Sequence, residues 1–390
     1  LTVKNRRCFK SLSDITLYYT VVRDGKIVKS AAIDTLDIKP GGERCYSIGV
    51  EEAGVSWLNV SARYNRSYEF ADIGYEVCSE QFIISEIFPS QENQKTGNVF
   101  FVENLNEYFA SFESGSIKIS KKTGLIESFI SHGEEMISAP VTPTVWRAPT
   151  DMKIKKKWLD AGYDKINVVL KRSGVNLTVK GATIVGVYQD IEDACGKKLM
   201  ELATDYIITP YGVKISVKAE ISDGLPPLPR FGFRFTTPER AEKLRYLGYG
   251  PMEAYEDKRL AAKLGFYKTT LTDNFVDYIK PQENSAHCYC RFADISTHSG
   301  TGLYFSGKSF SLSASHFSPE KLTATAHNWE LTPDKEGTVI IDYRNAGIGS
   351  NSCGPALLPE YAISEREIIF SFNIRPTLTG STLPFDEYRE

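Results

Sequence analysis

Two short stretches concentrate the side chains that could do chemistry. In the run Gly248–Arg259, Glu253, Glu256 and Asp257 stand beside Lys258 and Arg259. Some twenty residues on, Pro281-Gln282-Glu283-Asn284 adds another carboxyl group and an amide. Carboxyls on two loops that face one cleft could divide general acid, general base and nucleophile roles between them. The chain has 49 acidic residues, so a pair of carboxyls is weak evidence by itself. A structural role competes: acids and arginines at strand ends form ion pairs and hydrogen bonds that hold loop shape. For Glu253, Asp257, Arg259 and Glu283 that role ranks first. Arg147 and Asp151 in Trp146-Arg147-Ala148-Pro149-Thr150-Asp151 fit it too, as a turn pinned by an Arg–carboxylate pair. His287, His316 and His327 stand in strand-like contexts, as packed or surface residues rather than bases.

The elements that must position these groups read as strands. Gly248, Gly250 and Pro251 break the backbone after the apolar Leu244–Leu247 run. Residues 1–86 alternate with a period near two between turn signals such as Asp24-Gly25 and Pro40-Gly41-Gly42, as in an immunoglobulin-like sandwich. Residues 87–107 are expected to form a linker, most polar from Pro89 to Asn98. From 108 to 390 strands dominate again, with hairpins expected at Lys121–Gly124 and near Asp223-Gly224 and Asp334–Gly337. One helix stands out, around Lys153–Trp158. Ile154, Trp158 and Leu159 share its face and Gly162 stops it. Pro226-Pro227-Leu228-Pro229-Arg230 matches a polyproline ligand, but a stiff lead into the strand Phe231–Phe235 explains it more simply. Periodicity alone indicates a large all-β protein.

Five motifs taken together carry a resemblance. They are the 248–259 run, Pro281–Asn284, Trp146–Asp151, Ser311-Leu312-Ser313-Ala314-Ser315-His316-Phe317, and Gly347-Ile348-Gly349-Ser350-Asn351-Ser352-Cys353-Gly354-Pro355. In order and spacing they resemble the C-terminal β domain of family-2 β-galactosidases, and residues 1–86 resemble the immunoglobulin-like domain before it. The resemblance implies a galactose-mutarotase-like super-sandwich over 108–390. It also implies that both catalytic glutamates belong to an upstream (β/α)₈ barrel, which no alternation of strands and helices here supplies. The implied role is non-catalytic: bracing the barrel and lining the rim of a site for terminal β-D-galactosides such as lactose. The candidate rim residues are Arg147, Asp151, Glu253, Glu283, Asn284 and Cys353. The resemblance implies no cofactor in this chain, with the Mg and Na ions of such enzymes held mainly by other domains, and a homo-oligomeric parent.

Two departures matter. Asp151 runs almost directly into the helix, so the mobile loop that follows this motif in some relatives is short or lost. Cys353 stands where the best-known relative has a tryptophan wall for the second sugar. A thiol cannot stack, although Cys353 is equally readable as an ordinary buried small hydrophobe. A free-standing carbohydrate-binding module and a mutarotase-like enzyme remain alternatives. The latter would need a His and a carboxylate converging in one cleft.

Composition limits the other classes. A net charge of −3 offers no basic field for nucleic acid, and no run approaches the roughly 20 apolar residues of a membrane helix. Seven scattered cysteines without a CxxC pair suit reduced thiols in the cytoplasm rather than zinc. The chain opens on Leu1 without an apolar leader, as expected of a fragment. Limited proteolysis should cut first between Pro89 and Asn98 and leave a stable fragment of about 280–300 residues. First cuts within 110–380 would contradict the two-domain division.

Overall fold

In a computed structural model, residues 1–33, 36–86, 97–150, 152–176, 182–349 and 354–379 are described. Asp151, Cys353 and residues 87–96 of the expected linker lie outside them. The chain divides into two compact units, one within Leu1–Gln94 and one within Lys95–Ser381. Strand dominates both, so the expected all-β class holds.

In the first unit the strands Ile15–Arg23 and Lys26–Ile33 close tightly on Asp24 and Gly25, whose φ values are 49° and 75°. These join Val55–Tyr64 and Glu76–Glu86 in a four-stranded antiparallel sheet, while Thr2–Lys4 pairs with Glu43–Cys45. Alternation works here as the sequence suggests: Ile15, Leu17, Val21, Leu58 and Val60 face a core shared with Leu36 and Ile38.

The second unit holds a five-stranded and a twelve-stranded antiparallel sheet. Part of the expected linker belongs here, because Phe100–Glu103 pairs with Glu107–Phe112 at the edge of the smaller sheet. The hairpin at Gly124 forms between Gly115–Ser120 and Ile126–Ser131. Neither of the other two expected turns closes a tight hairpin, although Gly337–Asn345 does pair with the preceding strand Thr301–Ser315. After Gly224 the chain leaves Gly212–Ile221, which pairs with Lys198–Thr209 and Glu367–Leu378, and enters Arg230–Thr237 between other partners. Asp334–Gly337 follows a helical excursion, Pro319–Ala324 and Asn328–Glu330, that strand periodicity hides. Its signal was legible as Ser318-Pro319-Glu320, a cap with proline in the first turn; the Ser318 hydroxyl accepts from Lys321 N at 3.2 Å.

The 15-residue strand Thr301–Ser315 is the hub. Its first half pairs with Glu367–Leu378 and its second with Gly337–Asn345, while Ala286–Thr297 runs along its other edge. Next to Gly337–Asn345 lies Arg230–Thr237, whose Phe231, Phe233 and Phe235 all point into the core; Phe235 meets Phe305 edge-on with ring centres 5.1 Å apart. Cys288 and Cys290 do not share a face. Tyr289 takes a φ of 55° in a bulge, so Cys290 joins the main core and Cys288 a small cluster with Ala254 and Ala262.

The expected helix spans Met152–Asp160 and closes as anticipated: Gly162 has φ 77° and Tyr163 N donates to Trp158 O at 3.1 Å. Trp158 is buried, but Leu159 points outward, so the buried stripe is narrower than the sequence suggests. The proline run is indeed a structural lead-in. Trp158 Nε1 donates to Pro227 O at 3.1 Å, Tyr163 OH to Pro226 O at 2.7 Å, and Leu228 and Arg230 are buried. Trp158→Ala should destabilise the unit by about 3–5 kcal/mol in urea titrations, through the cavity and the lost hydrogen bond. Trp158→Phe should cost less than half of that.

Candidate functional site

Arg230 opens its strand beside the end of Gly337–Asn345, and Asp342 lies across from Gly232 in the register. Gly232 is required there: a Cβ would come within 2.4 Å of Asp342 Oδ1. Arg230 Nη2 donates to Asp342 Oδ2 at 2.6 Å and to Ser313 Oγ at 2.9 Å, and its Nη1 lies 3.5 Å from Glu283 Oε2. Glu283 Oε1 accepts from Asn345 Nδ2 at 2.8 Å. Asn345 Oδ1 in turn accepts from Arg147 Nη1 at 2.8 Å. Arg147 also donates to Ala346 O and, at 2.8 Å, to Gly347 O. Arg147, Arg230, Glu283, Asp342 and Asn345 are 4% exposed or less, and Ser313 is 8% exposed.

So complete a burial would discharge isolated groups, but these are paired. Burial lowers the pKa of Arg147, with Glu283 opposing it. Burial also works against the charge of Arg230, yet Asp342 and Glu283 outweigh it and hold the guanidinium above its usual range. Tyr255 packs among the same groups, and burial pushes its phenol well above the ordinary value.

The lattice reaches the loops. Asp257 accepts from Ile348 N at 2.9 Å and Gly349 N at 2.6 Å, tying the 248–259 run to the 347–349 backbone. Gly347 and Gly349 serve close approach here rather than unusual φ, since a Cβ on either would lie within 2.9 Å of an Asp257 atom. Glu283 N donates to Ala148 O at 3.1 Å, joining the second signature loop to the Trp146 motif. Glu253 accepts from Lys258 Nζ, from Tyr278 OH and, at 3.2 Å, from Ser285 N. Burial lowers the Lys258 pKa, but the hydrogen bonds to Glu253 and Tyr278 and the charge on Glu253 together outweigh it and leave the pKa raised. Asn284 accepts from Ser285 Oγ and donates to Gln282 O at 2.9 Å.

The structure therefore places four candidate rim residues beneath the loop surface: Arg147, Glu253, Glu283 and Asn284 are 1%, 7%, 4% and 6% exposed. It joins Arg147 to Glu283 through Asn345, and Glu253 to Asn284 through Ser285. Asp151 and Cys353, the other two, are outside the described residues. Arg147 finds its partners some 200 positions along the chain, not in its own turn. Asn345 and the Arg230–Asp342 pair were missed by sequence reasoning. An aspartate inside the apolar run Val339–Tyr343 was a legible sign of a buried cationic partner.

The histidines play no shared role. His287 is fully buried, stacks on Tyr246 with ring centres 4.1 Å apart, and is held down to about 4 by burial. His316 Nε2 lies 2.6 Å from Glu242 Oε2, and Glu242 also accepts from Thr272 N at 3.0 Å, bracing the start of the loop that leads to Pro281. Beside the 346–349 backbone is a cavity of about 180 Å³ lined mainly by Ile154, Trp158, Pro227, Leu228 and Leu357. Among the described residues no group of three or more His, Cys, Asp or Glu could hold a metal ion.

Asp342→Asn should cost about 3–5 kcal/mol of stability, because Arg230 stays buried without its main counter-charge. Replacing both partners, Arg230→Met with Asp342→Leu, should cost less than the single change. Chemical denaturation of Asp342→Asn, Arg230→Met, Asp342→Leu and the double variant gives the comparison, and additive losses from Arg230→Met and Asp342→Leu would show that the pair does not interact.

Residues 112–374 match the family described as the β-galactosidase small chain, and residues 1–85 match β-galactosidase domain 4. A β-galactosidase from Actinobacillus pleuropneumoniae is 31% identical over 396 residues, covering 96% of this chain and 38% of the relative. One from Staphylococcus xylosus is 29% identical over 324 residues, covering 81% and 33%. The chain thus spans little more than a third of these relatives. Among solved structures it is similar to a galactose mutarotase-like protein from Lactobacillus casei ATCC 334, with 10% identity, a TM-score of 0.35, and coverage of 72% of this chain and 100% of that one. No helix among the described residues is long and apolar enough to cross a membrane. With more than half its length matching the small-chain description, the chain belongs to the β-galactosidase family.

Proposed function

We propose that this chain is the C-terminal, non-catalytic part of a β-galactosidase that hydrolyses terminal β-D-galactosides such as lactose. The observation that carries the reading is the match to the small chain and domain 4, combined with coverage of only about a third of the catalytic relatives. In this reading the buried lattice holds the 248–259, 281–284 and 347–349 backbones in the shape that a separate catalytic barrel docks against. Arg147, Glu253, Glu283 and Asn284 then serve the active-site rim from below, by positioning backbone. Asp151 and Cys353 keep their proposed places at the rim. Met252 and Leu260, 52% and 99% exposed in the first loop, suit a surface that another domain covers. A homo-oligomeric, cytoplasmic parent belongs to the same proposal, in keeping with exposed free thiols at Cys8, Cys45, Cys78 and Cys195. Any Mg or Na ions of the parent would be held mainly by its other domains.

The test is activity of the purified chain on a nitrophenyl β-galactoside. No hydrolysis above the buffer blank is expected, because retaining hydrolysis needs two carboxyls about 5–5.5 Å apart around the scissile bond. A rate that scales with protein and survives repurification would refute the non-catalytic reading.

A further inference from the structure

Of the four tryptophans, Trp57, Trp146 and Trp158 are 4% exposed or less, whereas Trp329 is 73% exposed. A lone exposed indole on a floppy loop would mean little. Trp329 is held rigidly instead. It sits in the short turn Asn328–Glu330, with its ring stacked on His327 at 4.3 Å between centres and 12° between planes. The turn is clamped by Glu330, which accepts from His327 N at 3.2 Å and lies 3.3 Å from His327 Nδ1. A second clamp comes from the neighbouring segment: Asn328 N donates to Ile279 O at 3.0 Å and Asn328 Nδ2 to Asp277 Oδ2 at 3.0 Å.

The consequence is a platform with one face covered by the imidazole and the other open. The indole Nε1–H donates to no group among the described residues. The residues bonded to its neighbours include two exposed carboxylates, Asp277 on Asn328 and Glu330 on His327, and the exposed apolar Ile279 at 77%. The centre of a docked protein surface is depleted of charged residues. An exposed aromatic face on a turn held by exposed carboxylates suits a ligand that has one apolar face and hydroxyl donors at its edge. That ligand is a pyranose.

We propose that Trp329, backed by His327, is a surface sugar-binding site for a terminal β-galactosyl unit. In galactose the axial O4 leaves C3–H, C4–H and C5–H on one face as a continuous apolar patch that can lie on the open indole. The equatorial hydroxyls then point outward, where Asp277 and Glu330 accept, and Ile279 flanks the hydroxymethyl edge. The site belongs to this chain alone, so its failure would leave the proposed non-catalytic role intact.

The buried state of the other three tryptophans makes the test direct, since red-shifted and quencher-accessible emission comes from Trp329. Methyl β-galactoside and lactose, titrated against the full chain to about 200 mM, should give a saturable blue shift and protection from iodide quenching with a millimolar Kd. Trp329→Ala, at an exposed position that should fold normally by circular dichroism, should abolish the response. His327→Ala should weaken binding by up to about 10-fold through loss of the backing ring. An unchanged sugar response in Trp329→Ala by calorimetry, or no saturable response in the wild-type chain, would overturn the proposal. So would self-association that Trp329→Ala removes without any sugar response, because it would identify a protein-docking residue instead.

Discussion

Charge buried away from bulk solvent is the constraint on which the second unit depends. Arg230 and Asp342 cannot be dry separately, because an unpaired ion in the interior costs several kcal/mol. Their pairing links the strands Arg230–Thr237 and Gly337–Asn345, and Glu283 and Ser313 draw in a loop and the hub strand. Asn345 then passes the network to Arg147, and through it to the carbonyls of Ala346 and Gly347. Five separate regions of sequence thereby converge on one set of hydrogen bonds. A hydrophobic replacement could be as stable, but it would not specify the loop backbones in the same way, since apolar contact is not directional.

That directionality is what makes the lattice functional. Each signature loop hangs from it or from the carboxylate beside it: Asp257 holds 348 and 349, Glu253 holds Ser285, Lys258 and Tyr278. The glycines at 347 and 349 are explained by the same geometry, since any side chain there would displace Asp257. What looks in sequence like a cluster of candidate catalytic acids is a set of inward-facing anchors. In the proposed reading, chemistry at this surface falls to backbone and to a separate domain docked against it. This division of labour agrees with a chain that matches the small-chain region of β-galactosidases and spans about a third of their length.

Trp329 illustrates the opposite case. Its neighbours His327, Asn328 and Glu330 spend their polar groups on fixing the ring's orientation rather than on covering it. An exposed aromatic face costs hydration free energy, and the hydrogen bonds around it fix the turn that carries the ring.

The sequence by itself determined the class of structure and most local elements. Alternation in Ile15–Arg23 and Val55–Tyr64, Asp24-Gly25, and the Gly162 stop after Trp158 are local signals, because dihedral preference and side-chain period act within a few residues. The structural role of Glu253, Asp257 and Glu283 was also legible from their residue types at strand ends. Tertiary structure alone decided the partners. Nothing near Arg147 marks Asn345–Gly347 as its target, and the proline run hid Arg230 as an ion-pair residue. The turn at Gly224 looks like a hairpin until the sheet order assigns its strands to other neighbours. Gly337–Asn345 does pair with the preceding strand Thr301–Ser315, but across a helical excursion rather than a tight turn. The reason is physical: a turn residue sets only the direction of the chain, whereas pairing is settled by which distant strand completes the burial and the hydrogen bonds.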